Sequence, residues 1–276
     1  MINFSYALQI CDIASNQNEK RFCSDSKTEI SKVCTTSFFE AVRNASVNFE
    51  GTNHHIAIFD DHSTEELRNH VNWLIAKYSS EVIKISYYSL TEMGIMNSIG
   101  SCWRWLQEQD SYFVFQVQDD YLFTPQCVID MADEFFVILN ETKTDAIVYP
   151  FNDQYLWLMT YRNRPTPRSL FCGKRGYWIQ TYDIPCTFFT SKKEFSKHWD
   201  MYNKFLAMNP NKPPLEAESL NWILTRKGVL GIIPIQSLAF HMQSELYVDP
   251  YVDWKPHWNY NKRVIESGQD GNAADC

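Results

Sequence analysis

A run of apolar, aromatic and β-branched residues, Tyr112-Phe113-Val114-Phe115-Gln116-Val117, ends abruptly in Gln118-Asp119-Asp120. Such a run reads as a buried strand, and two adjacent carboxylates at its exit need something positive to compensate them. A divalent cation is the usual compensation, and a cation at the carboxyl end of a strand commonly serves a phosphate-bearing ligand. The pattern recurs upstream, where residues 55–59 run straight into Asp60-Asp61. For the two acidic pairs to act together, both strands must point the same way in one sheet.

The rest of the first half supports that arrangement. Residues 4–13 read as a strand reaching Asp12, followed by a polar stretch, 15–32, expected to be loop. Ser37-Phe38-Phe39-Glu40 matches a capping box and predicts a helix to about residue 45. A second box, Ser63-Thr64-Glu65-Glu66, precedes Leu67, Val71, Leu74, Ile75 and Tyr78 at helical spacing. A strand over 82–85, a helix over 94–107, a helix over 126–139 and a strand over 146–149 complete the series. Strands alternating with helices of this length indicate βαβ units around a mostly parallel sheet, an α/β fold whose ligands bind outside the carboxyl strand ends. Asp12, Asp60, Asp61, Asp119 and Asp120 are expected on that one edge.

After Pro150 the pattern loosens. Residues 151–189 carry Trp157, Tyr161, Phe171, Tyr177, Trp178 and Tyr182 without clean periodicity. Ser191-Lys192-Lys193-Glu194 caps a helix expected to reach about 208; Pro213-Pro214 precedes one expected over 215–227. A strand over 229–233 leads to Ser237-Leu238-Ala239-Phe240-His241, and a polar tail, 264–276, is expected to be disordered. The expected organisation is a ligand-binding half over 1–150, a second half of the same domain over 151–263, and the tail.

Bulk properties narrow the function classes. The chain has 276 residues, 45% of them hydrophobic, enough for one large core. A net charge of −8 argues against a nucleic-acid partner. The eight cysteines form no CxxC, so zinc-ribbon and thioredoxin-like chemistry are unsupported. Neither a basic leader with an apolar stretch nor a membrane-length apolar run is visible, and a soluble, cytoplasmic protein is expected.

The candidate residues have definite chemistry. Asp119 and Asp120 offer hard oxygens suited to Mg²⁺ or Mn²⁺, and the imidazole of His241 is an acceptable ligand for Mn²⁺. Asp60 and Asp61 either support a helix N-terminus or accept hydrogen bonds from a base or ribose. Glu216 and Glu218 either favour a helix dipole or include a general base.

The order of these features resembles the GT-A fold glycosyltransferases, especially the family 2-like group and similar viral, phage or bacterial enzymes. Ile56-Ala57-Ile58-Phe59-Asp60-Asp61-His62-Ser63 looks like that family's strand ending in Asp-Asp-Gly-Ser. Phe115-Gln116-Val117-Gln118-Asp119-Asp120 looks like its DxD metal motif, and Leu215-Glu216-Ala217-Glu218-Ser219-Leu220 like its acidic catalytic segment. His241 stands where many members have a C-terminal metal ligand. The likeness runs from Phe4 to His241 in order and spacing. It departs at Gln118, where an acid is usual, at His62, where Gly is common, and at Glu-Ala-Glu in place of Glu-Asp.

This resemblance implies a nucleotide-sugar donor, with Mn²⁺ or Mg²⁺ held by Asp120, His241 and Asp119. It implies donor contacts from Asp60, Asp61, Asp12, Gln118 and Asp119. Glu218 or Glu216 would be the base for a hydroxyl acceptor on a glycan or glycoconjugate, with inversion. Trp178 and Tyr182 are expected to line the acceptor site. Two alternatives stay open. A sugar-nucleotide nucleotidyltransferase would carry a Gly-rich basic loop near the first strand, and residues 15–21 contain no Gly. A catalytically dead nucleotide-sugar or glycan-binding protein would explain Gln118 as decay.

Overall fold

The computed structural model describes residues 2–13, 25–154, 168–183, 185–209 and 215–272. Four strands, β1 (Asn3–Ile10), β2 (Asn53–Asp60), β3 (Ile83–Ser89) and β4 (Phe113–Gln118), lie parallel in the order β3-β2-β1-β4. They are joined by α1 (Lys27–Asn48), α2 (Glu65–Tyr78) and α3 (Ile95–Glu108). The chain steps outward from β1 to β3, then returns across both to β4. Right-handed crossovers in opposite directions put their helices on opposite faces. Accordingly α1 packs against α2, while α3 packs against β1, β2 and two later helices, α5 (Lys192–Lys197) and α6 (Trp199–Leu206).

Beyond β4 come β5 (Tyr121–Phe123), α4 (Cys127–Thr142), β6 (Ala146–Val148), β7 (Leu170–Cys172), β8 (Tyr177–Thr181) and β9 (Phe188–Ser191). After α5 and α6 follow α7 (Asn221–Thr225), β10 (Leu230–Pro234), β11 (Ala239–His241) and α8 (Lys255–Asn272). The main sheet among the described residues has nine strands, ordered β3-β2-β1-β4-β9-β6-β10-β8-β7. Only β9 and β8 run against the rest. The fold is therefore α/β, a large and mostly parallel central sheet flanked by helices. A separate ribbon pairs β5 with β11 antiparallel.

Most of the many rings are core. Phe38 of α1 meets Tyr6 edge-on at 5.7 Å and Phe115 at 6.3 Å, and Phe113 stacks on Phe189 at 4.7 Å. These edge and offset contacts let large rings fill the space between sheet and helix.

Several boundaries differ from the sequence expectation. α1 begins at Lys27 inside the expected loop, because Ser26 caps it by accepting from the Glu29 N–H at 3.1 Å. Ser37, expected at the helix start, is buried in mid-helix, where its hydroxyl accepts from the Phe123 N–H at 2.9 Å. The cap of α2 is Thr64, one residue after the expected Ser63. The helix expected to reach 208 breaks at His198, between α5 and α6. The helix expected over 215–227 is a single 3-10 turn at Glu216–Glu218 followed by the short α7. Residues 264–272, expected as a disordered tail, continue α8, which buries Trp258 and Ile265 against Ile30, Val33 and Cys34 of α1. Trp157, Tyr161, Pro213-Pro214 and the segment 14–24 lie outside the described residues. No helix among those described is long and apolar enough to cross a membrane.

Candidate functional site

Strands β1 and β4 are parallel neighbours, so their carboxyl ends share one edge of the sheet, and the helices that follow them, α1 and α4, pack against each other on one face. The register sets what meets there. Ile10 pairs with Asp60 on one side, and Gln9 with Gln118 on the other, so both acidic pairs reach the same edge.

Asp119 is buried, and its carboxylate is fully engaged. One oxygen accepts from the Cys11 N–H at 3.0 Å and the Ser31 hydroxyl at 2.7 Å; the other accepts from Lys27 Nζ at 2.8 Å. Burial pushes its carboxyl above the ordinary range, while the Lys27 ammonium acts the other way. Asp119 thus ties the end of β1 and the first turns of α1 to the end of β4.

Asp120 is the carboxylate that meets His241. Its Oδ2 lies 3.5 Å from His241 Nε2 and 3.5 Å from Lys27 Nζ. The β5–β11 ribbon makes this encounter, since Tyr121 pairs with His241 and the Met242 N–H donates to the Asp120 carbonyl at 2.8 Å. The imidazole stacks on Tyr121 at 4.4 Å and on Tyr247 at 5.0 Å, which fixes its plane.

The other acids of the edge serve the backbone. Asp60 is fully buried, accepting from the Ser63 N–H at 2.8 Å and from the Tyr87 hydroxyl. Asp61 accepts from the N–H of Gly94, the φ 125° residue that opens α3. Asp12 accepts from the Thr64 N–H at 2.7 Å and the Thr28 hydroxyl at 2.8 Å, binding the starts of α2 and α1. His62, standing where glycine is common in the resembling family, adopts φ 62°, a conformation that otherwise favours glycine. Gln118 Oε1 lies 3.5 Å from the Thr187 hydroxyl.

Of the two glutamates, Glu216 is half-buried, and its charge adds to burial in raising the Cys186 thiol. Glu218 is exposed, and its carbonyl accepts from Lys204 at 2.7 Å. Trp178 is buried beside α4, and Tyr182 lies 5.4 Å from the Arg168 guanidinium.

No group of three or more His, Cys, Asp or Glu side chains placed for a metal occurs among the described residues. A small divalent cation serving substrate phosphates needs only one or two protein donors, the rest coming from phosphate and water. The 3.5 Å between Asp120 Oδ2 and His241 Nε2 is less than twice the roughly 2.1 Å bond length of such an ion. The pair therefore fits the group, with Lys27 as a further positive charge. Lys27, Tyr121 and Tyr247 were not singled out from the sequence. Only the capping pattern Ser26-Lys27-Thr28-Glu29 could have drawn attention to Lys27.

No protein-family model matches the chain, and no curated protein sequence does. Among solved structures it is similar to residues 1–349 of S. aureus TarS, at 13% identity and TM-score 0.48, covering 97% of this chain and 65% of that one. It thus spans just under two thirds of that structure. It is similar also to the UDP-glucose pyrophosphorylase of Acinetobacter baumanii, at 11% identity and TM-score 0.49, over 95% of this chain and 92% of the other. A third likeness is to 4-diphosphocytidyl-2C-methyl-D-erythritolsynthase from Anaerococcus prevotii, at 11% identity and TM-score 0.42, over 96% and 99% of the two chains.

Proposed function

We propose that the protein is a metal-dependent glycosyltransferase, moving a sugar from a nucleotide-diphosphate sugar to a hydroxyl of a glycan or glycoconjugate. One observation carries the reading: Asp120 and His241, remote in sequence, meet at 3.5 Å at the carboxyl edge of β4, beside Lys27 and the start of α1. A diphosphate seated there finds the positive end of a long helix and an ammonium group.

In this reading Asp120 and His241 hold Mn²⁺ or Mg²⁺, which supplies Lewis-acid stabilisation of the departing diphosphate. Lys27 neutralises further charge on the same leaving group, and Asp119 positions Lys27. Asp60, Asp61 and Asp12 shape the rim that receives the nucleoside by fixing the turn at 61–64 and the starts of α2 and α3. Glu216 is the base. It takes the proton of the acceptor hydroxyl as that oxygen bonds to the anomeric carbon and the carbon–oxygen bond to the diphosphate breaks. A single displacement of this kind inverts the anomeric centre.

Incubation with a panel of nucleotide sugars and Mn²⁺ is expected to release nucleoside diphosphate. Release of pyrophosphate from a nucleoside triphosphate and a sugar phosphate would instead make the protein a nucleotidyltransferase. Glu216→Gln should lower transfer by about 10²–10⁴-fold while donor binding persists. Should Glu218→Gln do so and Glu216→Gln not, the base is Glu218.

A further inference from the structure

A cavity of about 220 Å³ lies between α4 and the β7–β8 hairpin and shares no lining residue with the Asp120–His241 pair. Its rim charges are matched in pairs. Lys174 Nζ lies 3.0 Å from Asp133 Oδ2, and Arg175 Nε lies 3.4 Å from Asp130 Oδ1. At its floor Glu134 is 1% exposed, and neither carboxylate oxygen has a hydrogen-bond partner among the described residues.

The hairpin is shaped to close over that carboxylate. A Cβ on Gly173 would stand 2.0 Å from Glu134 Oε2 and 2.8 Å from the Trp178 indole, so a larger residue there would force both side chains to shift. Tyr177 and Trp178 supply ring surface to the same cavity. An apolar side chain in place of Glu134 would avoid the desolvation of an unmatched acid. A ligand that brings the missing charge would offset that cost.

We propose that this cavity binds a small organic cation, an alkylammonium or guanidinium group, with Glu134 as counter-ion and the Tyr177 and Trp178 rings as its apolar wall. The sign follows from the count of charges, since both rim cations already face a rim acid and the unmatched group is negative. Ring faces favour cations in the same way. The size follows from the volume, which falls below the roughly 300–1,000 Å³ of pockets that take larger ligands.

Protons compete with such a ligand. Burial raises the Glu134 carboxyl to about 7, with Glu141 and Asp133 adding to it. The groups facing it are Asp130, Asp133 and Glu141 of α4, Lys174 and Arg175 of the hairpin turn, and Tyr177 of β8. Binding near neutral pH therefore displaces a proton, and affinity rises with pH up to about 7 and then levels.

Calorimetric titration of the full chain with n-butylammonium and methylguanidinium, and with n-butanol as neutral isostere, tests this. Both cations should saturate, and butanol should bind at least about tenfold more weakly. Glu134→Gln, checked for folding by circular dichroism, should lose at least about tenfold for the cations and nothing for butanol. In the unmodified protein, titrations near pH 7 in buffers of different ionisation heat should report proton release that vanishes well above that pH. Absence of saturation by either cation, equal binding by Glu134→Gln, or equal binding of butanol would overturn the proposal.

Discussion

Because Asp119 gives its oxygens to Cys11, Ser31 and Lys27, truncating it leaves two buried donors unmet and removes the nearer partner of the Lys27 ammonium, whereas Asp120 lies 3.5 Å from His241. Asp119→Ala should therefore lower stability in urea by about 3–5 kcal/mol. Asp120→Ala should change stability by about 1 kcal/mol or less and remove metal-dependent donor binding. The sequence displayed this pair but not its division of labour, since that depends on where Lys27 and Ser31 land. His241 was legible from its place in order, while the rings stacked on it were not. At Glu134 a raised carboxyl favours the proton-bound native state, so wild-type stability from this group falls as pH rises from 4.5 to about 7. Glu134→Gln removes that slope. The variant should gain on wild type across the window by on the order of 2–3 kcal/mol. Chemical unfolding at several pH values measures it.

At the scale of elements, the strands and helices with strong periodicity were readable, as were the short β6 and β10, and several other short strands were not. β5, β7, β8 and β9 are three to five residues long and take their conformation from neighbouring strands. The helix start at Lys27 was hidden by polar composition, although Ser26-Lys27-Thr28-Glu29 carries a capping signal. α8 is polar on most faces, and its apolar stripe becomes meaningful only against α1. There Trp258 is buried, Lys262 Nζ lies 3.0 Å from Asp25, and Gly268 leaves room for Trp73, which a Cβ would approach to 2.3 Å. Trp258→Ala should cost about 3 kcal/mol and lower the thermal midpoint, because the ring fills space between α8 and α1. A change within a few tenths of a kcal/mol would mean that α8 is not docked in solution.

For the whole molecule, the parallel direction of β1 to β4 followed from the alternation of strands and helices, and with it the meeting of the acidic strand exits on one edge, while their order β3-β2-β1-β4 did not. The placement of β9 between β4 and β6, and the antiparallel β8, depend on long-range pairing that no local pattern records. Acid stability is a property of this whole core. Burial lowers His54 and His70 from 6.5 to about 4, so both stay neutral in the native state and take up protons when the chain unfolds. The unfolded chain binds more protons between those values, and stability falls as pH drops from 6.5 to about 4, by about 2–3 kcal/mol for each ring. Thermal unfolding across that range should show the decline, and His70→Gln should remove about half of it.

The proposed diphosphate site at Asp120, His241 and Lys27 is reached most directly by calorimetric titration with nucleoside diphosphates, with and without Mn²⁺. Mn²⁺ should tighten binding of one nucleotide in the unmodified protein, and Asp120→Ala and His241→Ala should each abolish the tightening while remaining folded. Binding that ignores Mn²⁺ and is unchanged in both variants would contradict the account.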